Sequence, residues 1–441
     1  MKKKILFILM GMSLFVFGKE NSVTAITEVF GEGQKTTAVI LEYDKKINSE
    51  SLSTSTFSVD GRTITKVYTN KLAEKTERSV DGKYVIIELS KDDANASTLS
   101  QTKPSGDGAA KSTQEMTGPP ATMPEIKIVP PVLNVTQIRD IKTTNGKVYK
   151  ASANVVTNNK IKNLIVDDFI KLEYKDPVNG NILKYNLYVP KNYNKNKSYP
   201  LVLFIHDAGN VSNNSDVTLI QGLGAVSFAS PSDQAKHESF VLAPQYEKAT
   251  VNDNNETTNY LDTTVNLIKE IEGKYNIDAN RLYTTGQSMG GMSSIALNIK
   301  YPDLFAASYL VACQWDAQLM SSMYNKNMWI VVSQGDLKAY PGMNASTEVF
   351  EQLGGKVDRA VWSGNATKEE IATNAAKMIG TDTNIKYVAL EKGTVVPSGQ
   401  DDNGGSNHTN TWRIAYTFEP VRDWLFTQIK KGSLSTRGVK K

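Results

Sequence analysis

The chain has 441 residues, which at roughly 150 residues per domain allows two or three domains and a sizeable buried core. Its 40% hydrophobic, 22% charged and 8% aromatic residues match an ordinary globular protein and exclude wholesale disorder, a collagen-like chain and a multi-spanning membrane protein. A net charge of +4 from 50 basic and 46 acidic side chains gives no case for nucleic acid, the single Cys313 forbids an intrachain disulfide, and three histidines (His206, His237, His408) argue against a His/Cys metal centre.

The N-terminus reads as an export signal over residues 1–18. Lys2, Lys3 and Lys4 form a positive start, residues 5–17 are an apolar run, and residues 16–18 offer a tolerable cleavage site. The alternative is a retained membrane anchor, for which the run is short of the ~20 residues a spanning helix needs. No cysteine follows that could carry a lipid, so the expected location is secreted or periplasmic, with no stable membrane anchor after cleavage.

Residues 19–166 read as a small β-sandwich. Alternating segments at 37–43, 55–59 and 83–89 are separated by Asp-Gly turns at Asp60-Gly61 and Asp81-Gly82. Residues 91–131 are rich in Ser, Thr, Gly, Ala and Pro and lack apolar periodicity, which reads as a linker or, preferably, a long loop inserted in the sandwich. Strand-like pieces at 132–138, 146–156 and 160–166 complete the same sheet pair.

From residue 167 onward strands and helices alternate. Residues 169–174 and 182–189 suggest a hairpin around Asn179-Gly180, and buried runs at 201–205, 240–243, 281–285, 306–312, 328–333 and 385–390 suggest central strands. Helical stretches at 257–274, 289–300, 344–353 and 367–378 lie between them. The pattern predicts a mostly parallel sheet with helices on both faces, over residues 167–441, and a ligand site beyond the carboxyl ends of the strands.

The informative motif is Gly286-Gln287-Ser288-Met289-Gly290, which follows the strand 281–285 and opens the helix 289–300. A Gly-x-Ser-x-Gly between strand and helix is the setting of a nucleophile elbow, where a tight, strained turn exposes the serine at a helix N-terminus. Serine needs a base at neutral pH, ordinarily a histidine oriented by a carboxylate, in the chain order Ser, Asp or Glu, His. Only His408 follows Ser288, so it is the base by elimination; it is expected in the loop 398–407 or at its end, ahead of a helix over 412–429. The orienting acid is Asp336, at the end of strand 328–333, with Asp316 as competitor; Asp382, Asp401 and Asp402 read as solvated turn residues. The oxyanion donors are the amide of Met289 and one from the loop after strand 201–205, at Asp207 or Ala208. Asp207 places a charge beside the oxyanion, which has to point away from it. His206 is expected to shape that loop and His237 to lie at the surface.

These residues resemble a known family. Tyr188-Val189-Pro190, His206-Asp207-Ala208-Gly209, Ala243-Pro244-Gln245, the segment 281–291, Gly335-Asp336 with Tyr340-Pro341-Gly342-Met343, and Val421-Arg422-Asp423-Trp424-Leu425 look like the α/β-hydrolase esterases of the polyhydroxybutyrate-depolymerase-like group. That group includes secreted esterases with an N-terminal immunoglobulin-like domain, which the β-rich first 165 residues resemble. The resemblance implies Ser288, Asp336 and His408 as the triad, Gln245 and Trp315 as substrate-pocket residues, and glycine where this chain has Asp207. The expectation is a secreted serine esterase with an α/β-hydrolase domain behind an immunoglobulin-like sandwich, acting on a small-molecule or oligomeric ester without metal or cofactor, and able to form oligomers through the β-domain. Two other readings stay open, a prolyl-oligopeptidase-type peptidase and a non-catalytic surface-binding protein with a vestigial hydrolase domain.

Overall fold

The computed structural model describes residues 22–101 and 126–430; the expected export segment and residues 102–125 of the low-complexity stretch lie outside the described residues. The chain divides into two compact units. Among the described residues the first is built from 22–27, Thr36–Ser97 and Pro130–Lys162, and the second from Glu28–Lys35, 98–101, 126–129 and 163–430.

The first unit holds a five-stranded sheet in the order Lys160–Asn163, Val23–Phe30, Gly33–Ile47, Gly82–Leu89, Ile64–Asn70, and a three-stranded sheet in the order Val155–Thr157, Asn134–Gln137, Phe57–Val59. Alternation explains its core: Val39, Leu41 and Tyr43, Val85, Ile87 and Leu89, and Phe57, Val59 and Val135 are all odd-numbered and all meet in one buried cluster drawn from both sheets. The low-complexity stretch is less irregular than its composition suggests, since Leu99–Gln101 and Ile126–Ile128 pair antiparallel at its two ends.

The second unit is organised by nine strands: β1 (Phe169–Lys175), β2 (Ile182–Tyr188), β3 (Tyr199–Ile205), β4 (Phe240–Gln245), β5 (Ile277–Gln287), β6 (Ala307–Val311), β7 (Met328–Ser333), β8 (Val357–Trp362) and β9 (Ile385–Leu390). They form one sheet in the order β1-β2-β4-β3-β5-β6-β7-β9-β8. The pairs β1/β2 and β2/β4 are antiparallel and the remaining pairs parallel. Because helices cover both faces, the inner strands are mostly apolar and β3, β7 and β9 are buried throughout, Lys386 of β9 and Ser333 at the end of β7 being the polar exceptions in the last two. Within β3 the alternation splits two cores. Leu201, Leu203 and Ile205 join a cluster with the helices Tyr260–Lys274, Met289–Lys300 and Ala339–Gln352, while Val202 and Phe204 join one with the helices Lys368–Ile379, Gly404–Ala415 and Glu419–Phe426.

Three local differences from the sequence expectation have physical causes. Strand β8 went unread because Asp358 and Arg359 interrupt its apolar residues, which an edge strand tolerates with one side in solvent. The helix expected over 344–353 starts earlier, at Ala339, because Pro341 falls in its first turn, where no amide donor is needed. The single helix expected over 412–429 is corrected to two. Asn403 caps the first by accepting from the Ser406 amide, which starts the helix at Gly404 despite two glycines; Pro420 opens the second. That last helix is pinned by a buried ion pair, in which Arg422 Nε and an Nη donate to Asp233 at 2.6 and 2.9 Å while its other Nη donates to the Tyr416 carbonyl at 2.6 Å.

Candidate active site

Strand β5 ends directly in the helix Met289–Lys300, and the chain turns between them at Ser288 with φ 51° and ψ −122°. A non-glycine residue there is strained, and neighbouring contacts hold it in place. The Ser288 amide donates to the Val311 carbonyl of β6 at 3.1 Å, and its own carbonyl accepts from Met292. The flanking glycines leave no room for a side chain. A Cβ at Gly286 would lie 2.4 Å from the Gly290 carbonyl carbon, and one at Gly290 would lie 1.9 Å from the Ile205 carbonyl oxygen. The last residues of β3 therefore press against the elbow.

Strand β7 ends in a turn closed by the Asp336 amide donating to the Ser333 carbonyl at 3.0 Å. This brings the Asp336 carboxylate inward, where it is 3% exposed. Its Oδ1 accepts from the amides of Lys338 and Ala339, both at 2.9 Å, at the start of the helix Ala339–Gln352. Its Oδ2 lies 2.5 Å from His408 Nδ1, and His408 Nε2 lies 2.9 Å from Ser288 Oγ. Two residues that follow strand ends, Ser288 and Asp336, are thus joined through His408 of the helix Gly404–Ala415 in one line of hydrogen bonds. Burial alone would raise the Asp336 pKa, but the His408 hydrogen bond, the His408 charge and the two backbone amides outweigh it and hold the carboxyl below its ordinary value. His408 sits in the first turns of the helix Gly404–Ala415, not in the loop ahead of it as the sequence suggested, and Trp412, one turn on, meets its ring edge-on at 5.2 Å. A helix holds its side chains more firmly than a loop does.

After β3, Asp207 caps a short 3₁₀ turn, Ala208–Asn210. Its carboxylate accepts from the Gly209 amide at 2.9 Å, from Asn210 Nδ2 at 2.6 Å and from Gln287 Nε2 at 3.1 Å. The charge is therefore held among three donors, one of them from the residue preceding Ser288. Met289 and Ala208 each open a helical turn, so their amides have no partner within that turn and remain available as donors.

Residues 179–413 match the model of an esterase family, and residues 22–150 match the esterase Ig-like N-terminal domain. The chain belongs to this esterase family. The crystal structure of a thermostable esterase aligns with 93% of this chain and 100% of its own, at a TM-score of 0.74 and 26% identity. Feruloyl esterase D of Neurospora crassa is 28% identical over 127 residues, 27% of this chain and 41% of that protein, so the chain spans about two fifths of that relative's length. The fold is an α/β-hydrolase preceded by an immunoglobulin-like domain.

The other residues of the esterase singled out in the sequence are placed as follows. Gln245, which the resemblance implied as a pocket residue, ties two segments of the chain together. It is 1% exposed, its carbonyl accepts from the Thr218 amide at 2.8 Å, and its amide donates to the Asn210 carbonyl at 2.8 Å. Trp315 is likewise buried, in the cluster that holds Met289, Met292, Met320 and Met343. Asp316, the competitor for the acid, is exposed and accepts from the amides of Gln318 and Leu319. His206 is buried. Its Nδ1 donates to the Asp207 carbonyl at 2.8 Å and its Nε2 accepts from the Tyr246 amide at 3.0 Å, a neutral tautomer in keeping with a pKa lowered by burial. His237 pairs with Asp423 at 3.0 Å and stacks on Phe426, so it is partly packed. The sequence reading missed Asn407, Ser333 and Gln287, polar residues beside the Ser288–His408–Asp336 line with no motif of their own. Among the described residues no His, Cys, Asp and Glu cluster could hold a metal, and no helix is long and apolar enough to cross a membrane.

Proposed function

We propose that this esterase is a secreted serine hydrolase that cleaves carboxylic esters through an acyl-enzyme. The observation that carries this reading is the continuous line from Ser288 Oγ through His408 to Asp336 Oδ2. With Nδ1–H donating to the ionised Asp336, Nε2 of His408 is left as the acceptor for the serine proton. As Ser288 Oγ attacks the ester carbonyl, His408 takes its proton, and Asp336 stabilises the imidazolium without leaving its two amide donors. The amides of Met289 and of the Asp207-Ala208 turn receive the developing oxyanion. His408 then protonates the departing alcohol, and water resolves the acyl-enzyme by the same path with His408 again as base.

Residues 1–18, read as an export signal, would place this activity outside the cytoplasm. The likeness to feruloyl esterase D supports hydroxycinnamoyl esters as the first substrates to try. The test is hydrolysis of p-nitrophenyl acetate and methyl ferulate by the wild type and by Ser288→Ala. The reading expects ester hydrolysis in the wild type and a loss of about 10⁴-fold or more in kcat for the variant. A Ser288→Ala protein that still turns over at the wild-type rate would sink it.

A further inference from the structure

We propose that Asn407 is a positioning residue that sets the distance between Asp336 and His408. The proposal rests on the reading of Ser288, His408 and Asp336 given above. Asn407 immediately precedes His408 on the helix Gly404–Ala415 and is 1% exposed. Its Oδ1 accepts from Ser333 Oγ at 2.9 Å, and Ser333 is the last residue of β7, three before Asp336. The same Ser333 oxygen accepts from the Gly335 amide at 3.1 Å, so one hydroxyl both closes the Asp336 turn and grips the histidine helix. The other end of the carboxamide donates to Asp402 Oδ1 at 2.5 Å and to the Asn403 carbonyl at 2.9 Å, which ties it to the segment that caps the helix.

Packing gives an independent sign of the same fit. A Cβ at Gly335 would lie 2.2 Å from both Cγ and Oδ1 of Asn407. The residue before Asp336 therefore has no side chain where the carboxamide lies. Strand end and helix are joined by two links: Asp336 to His408, which belongs to the reaction, and Ser333 to Asn407, which is shielded from it. The first must change strength as the imidazole gains and loses its proton. The second does not titrate, and it holds the ring in reach of Asp336 through both states. A side-chain carboxamide suits this place because it donates at one end and accepts at the other, as the hydroxyl and the carboxylate demand.

The test is steady-state kinetics of Asn407→Ala, Ser333→Ala, the double variant and Gly335→Ala on p-nitrophenyl acetate, with a pH profile of kcat/KM. A displacement of about 1 Å at a reacting group costs up to 10²-fold, so Asn407→Ala is expected to lose 10- to 100-fold in kcat with KM within about twofold. The acidic limb of the profile should move to lower pH, because an imidazolium farther from Asp336 is less stabilised. The double variant should lose less than the product of the two single losses, since both remove the Ser333–Asn407 link, and Gly335→Ala should slow turnover although it deletes no hydrogen-bonding group. A folded Asn407→Ala with wild-type kcat and an unmoved pH limb would overturn the proposal. So would a variant that loses melting temperature and kcat together with the limb unmoved, because that is a loss of fold alone. If His408→Ala keeps wild-type activity, the underlying reading fails instead.

Discussion

Adding one methyl group at Gly290 tests how tightly the elbow is built. In Gly290→Ala the new Cβ would sit 1.9 Å from the Ile205 carbonyl oxygen, 2.6 Å from its carbon and 2.9 Å from the His206 carbonyl oxygen. All are backbone atoms, so no side chain can swing aside. Restoring ordinary contact requires the end of β3 and the start of the helix Met289–Lys300 to separate by about 1.5 Å. That opening moves the Asp207-Ala208 turn away from Ser288 and pulls the two proposed oxyanion donors apart. Overpacking of this kind costs about 1–3 kcal/mol of stability, which a domain of this size tolerates. The effect on turnover should be larger, about 10²-fold in kcat on p-nitrophenyl acetate. Gly273, in the helix Tyr260–Lys274, is the control: nothing lies within 4 Å of its Cβ position, so Gly273→Ala should leave kcat alone and stabilise by about 0.5–1 kcal/mol. The reasoning is refuted if Gly290→Ala is folded and as fast as the wild type.

Asp336→Asn should lower kcat by about four orders of magnitude, because the amide no longer stabilises the imidazolium or enforces the tautomer. It should also change acid stability: the wild-type carboxyl has a depressed pKa, so its stabilisation is present above about pH 4 and lost as pH falls through the folded value. The difference in melting temperature between wild type and Asp336→Asn should therefore shrink with acidification, and a constant difference would contradict the shift. Arg422→Ala strands the buried Asp233 carboxylate, and a chemical-denaturation series should show a loss of about 3–5 kcal/mol. Cys313 is buried and burial pushes its thiol pKa up, so 5,5′-dithiobis(2-nitrobenzoate) should react with it in denaturant and not in the native protein.

Much of the catalytic unit was legible because its strands are buried on both sides. A run such as Met328–Ser333 has no polar interruption to confuse it, and the elbow carries its glycines for a steric reason that Ile205 and Gly290 make explicit. The assignment of His408 followed from scarcity and chain order. What surrounds it did not, since the start of its helix depends on a cap at Asn403 that outweighs the low helix propensity of Gly404 and Gly405. The setting of Gln245 was not legible for a related reason. A polar residue at a strand end faces either the site or the core, and its partners Thr218 and Asn210 come from other segments of the chain. Asp207, a departure from glycine in the resembled family, had no readable role until its three donors were seen together.

The most direct measurement is mass mapping of the adduct left by a fluorophosphonate ester on the full-length protein, in wild type and in His408→Ala. The account predicts a single stoichiometric adduct on Ser288 in the wild type and labelling slowed by orders of magnitude in the variant. An esterase that stays active while its adduct maps to another residue, or that labels equally fast without His408, would contradict it.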